Sequence, residues 1–346
     1  MIPFAGRRSP VRTLVAALAL AGAIGAGASA VTAAADAAAA DPAPVGLIPA
    51  LLAPLSPPPA ATPPEATAPA SPGVDPCSVA PVTGDTTITM MSGGVARTAV
   101  LHLPPAARGK PLALIVAFHG FGGNGPRFEI DTGLSTLGDQ QGYAAVYPTA
   151  LGNQWAISRR ERDVVFVGEL IERVKALACI DSARVYATGV SIGAGMAARS
   201  GCELSDQIAA LVLVSGGYKS LPPCNPDRPL SVLEIHGTAD GAVPYSGVGT
   251  NHAGAVLPYI SAWAARDRCR SRPAKTVIAA HTLRYRWSGC ASGETVEHIR
   301  IYGSGHGLPN AAGTEISSGN RTNVSGVKNI WHFLASRTRG RLFSDE

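Results

Sequence analysis

The chain has 346 residues, 46% of them hydrophobic and only 15% charged, with a formal net charge of +5. The arginines are scattered and no reading element accompanies them, which argues against a nucleic-acid site. Once an alanine-rich beginning is set aside, enough chain remains for one α/β domain with a sizeable core.

Residues 1–35 read as an export signal. Arg7, Arg8 and Arg12 form its positive start, an apolar run follows over residues 14–24, and Ala28-Ser29-Ala30 offers a cleavage site. The run is short and rich in Ala and Gly, so a cleaved signal is expected and no integral membrane span after it. Residues 36–76 are rich in Ala and Pro and nearly uncharged, as in an extended, semi-rigid linker. The domain proper is expected over residues 77–337.

Within it, residues 86–91 and 96–103 read as two strands joined by the turn Ser92-Gly93-Gly94. Residues 111–118 are a buried strand that runs into the glycine-rich loop His119-Gly120-Phe121-Gly122-Gly123-Asn124-Gly125. Residues 142–147 form a further strand, and residues 163–178 carry the period of a helix. The central strand begins at Arg184. Strands at 208–215 and 230–235, a helix at 251–268, late strands at 277–287 and 294–302 and a last helix at 324–334 complete the order. Strands alternating with helices predict an open, mostly parallel sheet with helices on both faces.

Six cysteines, Cys77, Cys179, Cys202, Cys224, Cys269 and Cys290, are spread along the chain without a C-x-x-C pair. With an export signal present, three disulfides are the better reading than a metal site, and spacing alone leaves fifteen pairings open. No metal and no cofactor is expected.

The central strand ends in Gly189-Val190-Ser191-Ile192-Gly193, a G-x-S-x-G turn into a helix of small residues. A serine on so tight a turn takes strained backbone angles, and Gly189 and Gly193 give it room. A hydroxyl is a weak nucleophile, so it needs a base, and the base needs an orienting acid. The α/β-hydrolase order is Ser, then Asp or Glu, then His. Here Ser191, Asp240 and His306 follow that order, each after a readable strand. The two oxyanion-hole amides are expected from Ile192 and from Phe121, with Gly120 as the alternative to Phe121. Trp155 is a candidate for the substrate pocket. His119 and His236, each before Gly at a strand end, read as loop-shaping residues. His102, His252, His281, His298 and His332 have no supporting context. Asn320-Arg321-Thr322 and Asn323-Val324-Ser325 match glycosylation sequons.

Four stretches carry a family resemblance. They are Phe118-His119-Gly120-Phe121-Gly122-Gly123-Asn124, Cys179-Ile180-Asp181 leading to Arg184-Val185-Tyr186-Ala187-Thr188-Gly189, His236-Gly237-Thr238-Ala239-Asp240 with Val243-Pro244-Tyr245, and Gly305-His306. Over roughly residues 77–334 they resemble the secreted polyhydroxybutyrate depolymerase and feruloyl esterase family of α/β-hydrolases. The resemblance implies Ser191 as nucleophile, His306 as base and Asp240 as acid. It also implies the pairs Cys269–Cys290, Cys202–Cys224 and Cys77–Cys179. The sequence departs from the family at Ile192, where a polar residue is usual, and at Gly307-Leu308-Pro309, which lacks the usual bulk.

The resulting expectation is a secreted, extracellular serine esterase, monomeric, cleaving short-chain or feruloyl/acetyl esters through an acyl-enzyme. Its ester substrate could be linked to polysaccharide. Polyester depolymerisation is the alternative within the class. A non-catalytic hydrolase-fold module binding a surface or cell wall is the alternative outside it.

Overall fold

Four strands of this chain are buried along their whole length, and that dictates cover on both faces of the sheet. They are β3 (Leu112–Phe118), β4 (Tyr143–Pro148), β6 (Ala210–Val214) and β7 (Ser231–Gly237). The computed structural model describes residues 76–78, 82–105, 109–158, 162–248, 255–308 and 325–339. The expected signal, the linker as far as residue 75 and both sequon asparagines lie outside these residues.

The described strands form one ten-stranded sheet in the order β1-β2-β4-β3-β5-β6-β7-β10-β9-β8. The remaining strands are β1 (Gly84–Ser92), β2 (Val95–Leu103), β5 (Ile180–Val190), β8 (Ala274–Ala279), β9 (Thr282–Trp287) and β10 (Val296–Ile301). The six central strands run parallel, and antiparallel pairs close each edge. The fold is that of an α/β-hydrolase, with a mostly parallel sheet.

Strand periodicity sorts the core. Leu114, Val116 and Phe118 of β3 pack on one face with α3 (Arg162–Leu177), α4 (Ile192–Glu203) and α5 (Val256–Arg266). Ala113, Ile115 and Ala117 pack on the other, with Phe128 of α1 (Gly125–Thr132), Leu134 of α2 (Leu134–Gln141) and the apolar stripe of α6 (Gly326–Leu334). Three disulfides join Cys77 to Cys179, Cys202 to Cys224 and Cys269 to Cys290. No helix among the described residues is long and apolar enough to cross a membrane.

Two readings of the sequence need correction. The stretch 125–141 holds α1 and α2, where no helix was expected. Asn124 caps α1 through its side chain, which accepts from the Arg127 N–H at 2.9 Å, and Pro126 opens the first turn. The stretch expected as one strand over 277–287 is part of a hairpin. It turns at Ala280 and His281, with His281 at φ 57°.

A buried ion pair ties the sheet edge to α3. Arg97 donates to Asp163 at 2.9 Å and lies 3.9 Å above the Phe166 ring. Asp163, fully buried, also accepts from the Ala156 N–H at 2.7 Å. Removing one partner leaves the other as an uncompensated buried charge, so Asp163→Ala is expected to cost about 3–5 kcal/mol in urea unfolding. A loss below about 1 kcal/mol, the range of an exposed pair, would contradict this account.

Candidate active site

The site is built by three strand ends. At the first, β5 passes into α4 through Ser191, whose φ is 59° and ψ −123°. A side chain holds such angles only where its surroundings over-determine them. Here a Cβ on Gly193 would collide with the carbonyl oxygens of Phe118 and His119, and one on Gly189 with that of Gly193. The absence of both lets the start of α4 approach the end of β3. The Ser191 N–H donates to the Val214 carbonyl at 2.9 Å, which fixes the turn on β6.

The loop after β3 then lies beside Ser191. His119 holds its shape, with Nδ1–H donating to the Gly120 carbonyl at 2.7 Å and Nε2 accepting from the Ala150 N–H at 3.1 Å. Gly122 N–H donates to the Asn153 carbonyl at 2.9 Å. The backbone N–H groups of Phe121 and Ile192 donate to no other described residue. Both residues border the same cleft as Ser191.

The second and third strand ends interlock. Thr238 N–H donates to Ile301 and Ala239 N–H to Ser304, both at 2.9 Å. A Cβ on Gly237 would collide with the Ser304 carbonyl oxygen. Gly307 N–H donates to Ser215 Oγ at 3.2 Å, which anchors the β10 loop at the end of β6. Asp240 and His306 meet in consequence, with 2.8 Å between Asp240 Oδ2 and His306 Nδ1. Burial pushes the Asp240 carboxyl up, but hydrogen bonds from His236, His306 and the Val243 N–H outweigh it and hold it well below the usual carboxylate range. An ionised Asp240 places the imidazole proton on Nδ1, which leaves Nε2 as an acceptor. The Ser191 hydroxyl makes no hydrogen bond to His306 or to any other described residue. Such bonds are often loose without substrate and tighten in the complex.

The cleft over Ser191 has a volume of about 890 Å³ and a mixed wall, apolar at Phe121, Leu151, Ile157, Ile192 and Val243 and polar at Gln154, Ser158, Arg162 and Ser220. Phe121 stands 73% exposed at its edge. Trp155 also borders it, but its ring is only 1% exposed and its N–H is committed to the His119 carbonyl at 2.9 Å. It supports the β3 loop through that bond and takes its place in the cleft wall with little surface open to it. The neighbouring wall is held by Arg199, which donates to the Ala156 carbonyl at 2.8 Å and to that of Ser158.

His236 does more than shape a loop. It contacts Glu234 and Asp240 as well as the Val243 carbonyl. Glu234 and His298, which the sequence reading left without a role, are fully buried beside it. Charged residues at alternate positions of a wholly buried strand were the available signal.

Residues 97–220 match the family model described as Esterase PHB depolymerase. A putative esterase, NocK, from Nocardia uniformis subsp. tsuyamanensis is 30% identical over 268 residues, covering 68% of this chain and 77% of its own length. Feruloyl esterase B of Piromyces equi is 26% identical over 235 residues, covering 61% of this chain but only 42% of that longer protein. Among solved structures, an acetyl xylan esterase from Aspergillus awamori shares the fold, with a TM-score of 0.50, 16% identity and coverage of 64% of this chain and 94% of its own. On this evidence the chain belongs to the PHB depolymerase esterase family and is a carboxylic ester hydrolase.

Proposed function

We propose that Ser191, His306 and Asp240 act as nucleophile, base and orienting acid, and that hydrolysis runs through an acyl-enzyme on Ser191. The observation that carries this reading is the Asp240–His306 pair at 2.8 Å, on loops tied to the strand beside the strained Ser191 turn. His306 Nε2 takes the serine proton as Oγ attacks the ester carbonyl, then returns it to the leaving alcohol. The Phe121 and Ile192 N–H groups receive the negative charge that develops on the carbonyl oxygen. Water then attacks the acyl-enzyme, with His306 again as base.

The substrate in this proposal is a short-chain or aromatic acyl ester. The aromatic lip at Phe121 and the apolar surfaces of Leu151, Ile157 and Val243 suit such an acyl group, while Gln154, Ser158 and Arg162 offer polar partners to the rest of the ester. Feruloyl esterase B, a relative by sequence, fits the same reading. The family model's own description keeps polyester depolymerisation as a second reading. The protein is proposed to act outside the cell. Residues 1–35 would be removed on export, residues 36–76 would precede the domain as an Ala- and Pro-rich linker, and three disulfides suit an oxidising compartment.

Ser191→Ala is expected to lower kcat on p-nitrophenyl acetate and methyl ferulate by about 10⁴-fold or more. Retention of a tenth of the activity would remove Ser191 from the mechanism. Release of hydroxybutyrate from an amorphous polymer suspension, with little turnover of the soluble esters, would favour the second reading. On the acid side, kcat/KM is expected to fall with unit slope, because one imidazole gains one proton while Asp240 stays ionised. A slope of two would mean that Asp240 titrates in the same range. The exported protein is expected to show no free thiol by alkylation and mass spectrometry, and several free thiols would overturn the disulfide reading.

A further inference from the structure

Behind Asp240 lies a buried chain of polar groups beyond the Ser191, His306 and Asp240 set. Asp240 Oδ1 accepts from the N–H groups of Val243 at 2.7 Å and Ala242 at 3.0 Å. Its Oδ2 faces two imidazoles, His306 at 2.8 Å and His236 at 3.2 Å. On its outer side His236 Nδ1 lies 2.8 Å from Glu234 Oε1. Glu234 is fully buried, takes the Tyr218 O–H at 3.3 Å, and has His298 Nδ1 2.6 Å from its Oε2. His298 Nε2 in turn meets the Tyr245 hydroxyl at 2.8 Å. The sheet register builds this cluster: His298 of β10 pairs with Glu234 of β7, and Glu234 and His236 share one face.

Counting protons narrows the charge state. His236 Nε2 faces only acceptors, Asp240 Oδ2 and the Val243 carbonyl at 2.9 Å, so it carries a proton. A second proton lies between His236 Nδ1 and Glu234. The oxygens of Glu234 are surrounded by Tyr218, His236 and His298, a setting that suits a carboxylate. We propose that His236 is a positioning residue: a permanently protonated imidazolium, held by Glu234, that keeps Asp240 ionised and aimed at His306 and tempers its pull on the His306 proton. This rests on His306 being the base of the esterase reaction.

The electrostatics agree with the geometry. Burial pushes the His236 imidazole down, but the Glu234 charge and the hydrogen bonds His236 donates to Asp240, Glu234 and the Val243 carbonyl lift it to about 10. Burial likewise pushes Glu234 up, and His236 and His298 outweigh it and draw it below its ordinary value. The other titratable and charged groups packed around the cluster are Tyr218, Tyr245, Tyr259 and Tyr285, and Arg300, whose guanidinium lies 4.8 Å from the Tyr245 ring. Without the His236 charge, two carboxylates would face one another in the core. With it, the set Asp240⁻, His236⁺, Glu234⁻ holds one net negative charge, which the imidazolium forming on His306 neutralises.

The test has two arms. In the native protein labelled with ¹⁵N-histidine, the His236 ring, assigned through its contacts to Val243, is expected to keep both protons from about pH 6 to about pH 9. A neutral ring anywhere between about pH 6 and about pH 9 would overturn the proposal. This arm reads no turnover, so it fails separately from the assignment of Ser191 and His306. In the second arm, His236→Gln keeps an N–H for Asp240 and removes the charge. The acid limb of kcat/KM is then expected to move to higher pH by about half a unit or more, with KM nearly unchanged. An unmoved limb in a folded His236→Gln protein would reduce His236 to a hydrogen-bond donor and overturn the charge role. If that variant does not fold, the native-protein spectrum alone decides.

Discussion

No side chain fits between the start of α4 and the end of β3, and the site depends on that constraint. Because Gly193 lies against the carbonyls of Phe118 and His119, the Ser191 turn and the glycine-rich β3 loop become neighbours. A hydroxyl and two unengaged N–H groups are then brought to one cleft by backbone packing alone. A non-glycine residue at positive φ costs on the order of 1–3 kcal/mol, a strain that the buried parallel strands around it can hold. The same logic recurs at Gly237, where the β7 end packs against the Ser304 carbonyl and carries Asp240 to His306.

The carboxyl end of the sheet also concentrates charge where a core would ordinarily be apolar. Glu234, His236 and His298 lie among strands buried on both faces, and their polar atoms face one another. Low local dielectric makes such a group costly when alone and firmly held when partnered. Asp240 therefore has both oxygens engaged and its carboxylate plane fixed by its neighbours. Arg199, Asp163 and Trp155 do the same for the cleft wall and the β3 loop, each a buried polar group tied to backbone.

The parts of this arrangement that were legible in the sequence are those encoded locally. Ser191 announced itself through glycines at fixed offsets between a β-branched run and a run of small residues. Asp240 and His306 each follow a strand that ends in Gly-containing loops, and the parallel order of strands brings such loops to one edge. Less legible was whatever depends on partners distant in sequence. Glu234 and His298 meet only because β7 and β10 are adjacent, and nothing near either residue signals the other. The hairpin of β8 and β9 was hidden because its turn, Ala280-His281, uses neither Gly nor Asn at its positive φ. The helices α1 and α2 were hidden by weak apolar patterning. Trp155 reads as a pocket residue from its place in the chain and does border the cleft, but its bond to the His119 carbonyl is one that spacing cannot reveal.

The central claim is that Ser191 is the nucleophile of an esterase, and a covalent trap tests it most directly. The purified domain would be treated with a fluorophosphonate and digested, and the modified peptide sequenced by mass spectrometry. The account predicts one phosphonyl group per molecule, carried by Ser191 Oγ and absent from protein denatured beforehand, since only the folded site brings His306 and the two N–H donors to that hydroxyl. Modification of another residue, or none in protein that turns over ester, would contradict it.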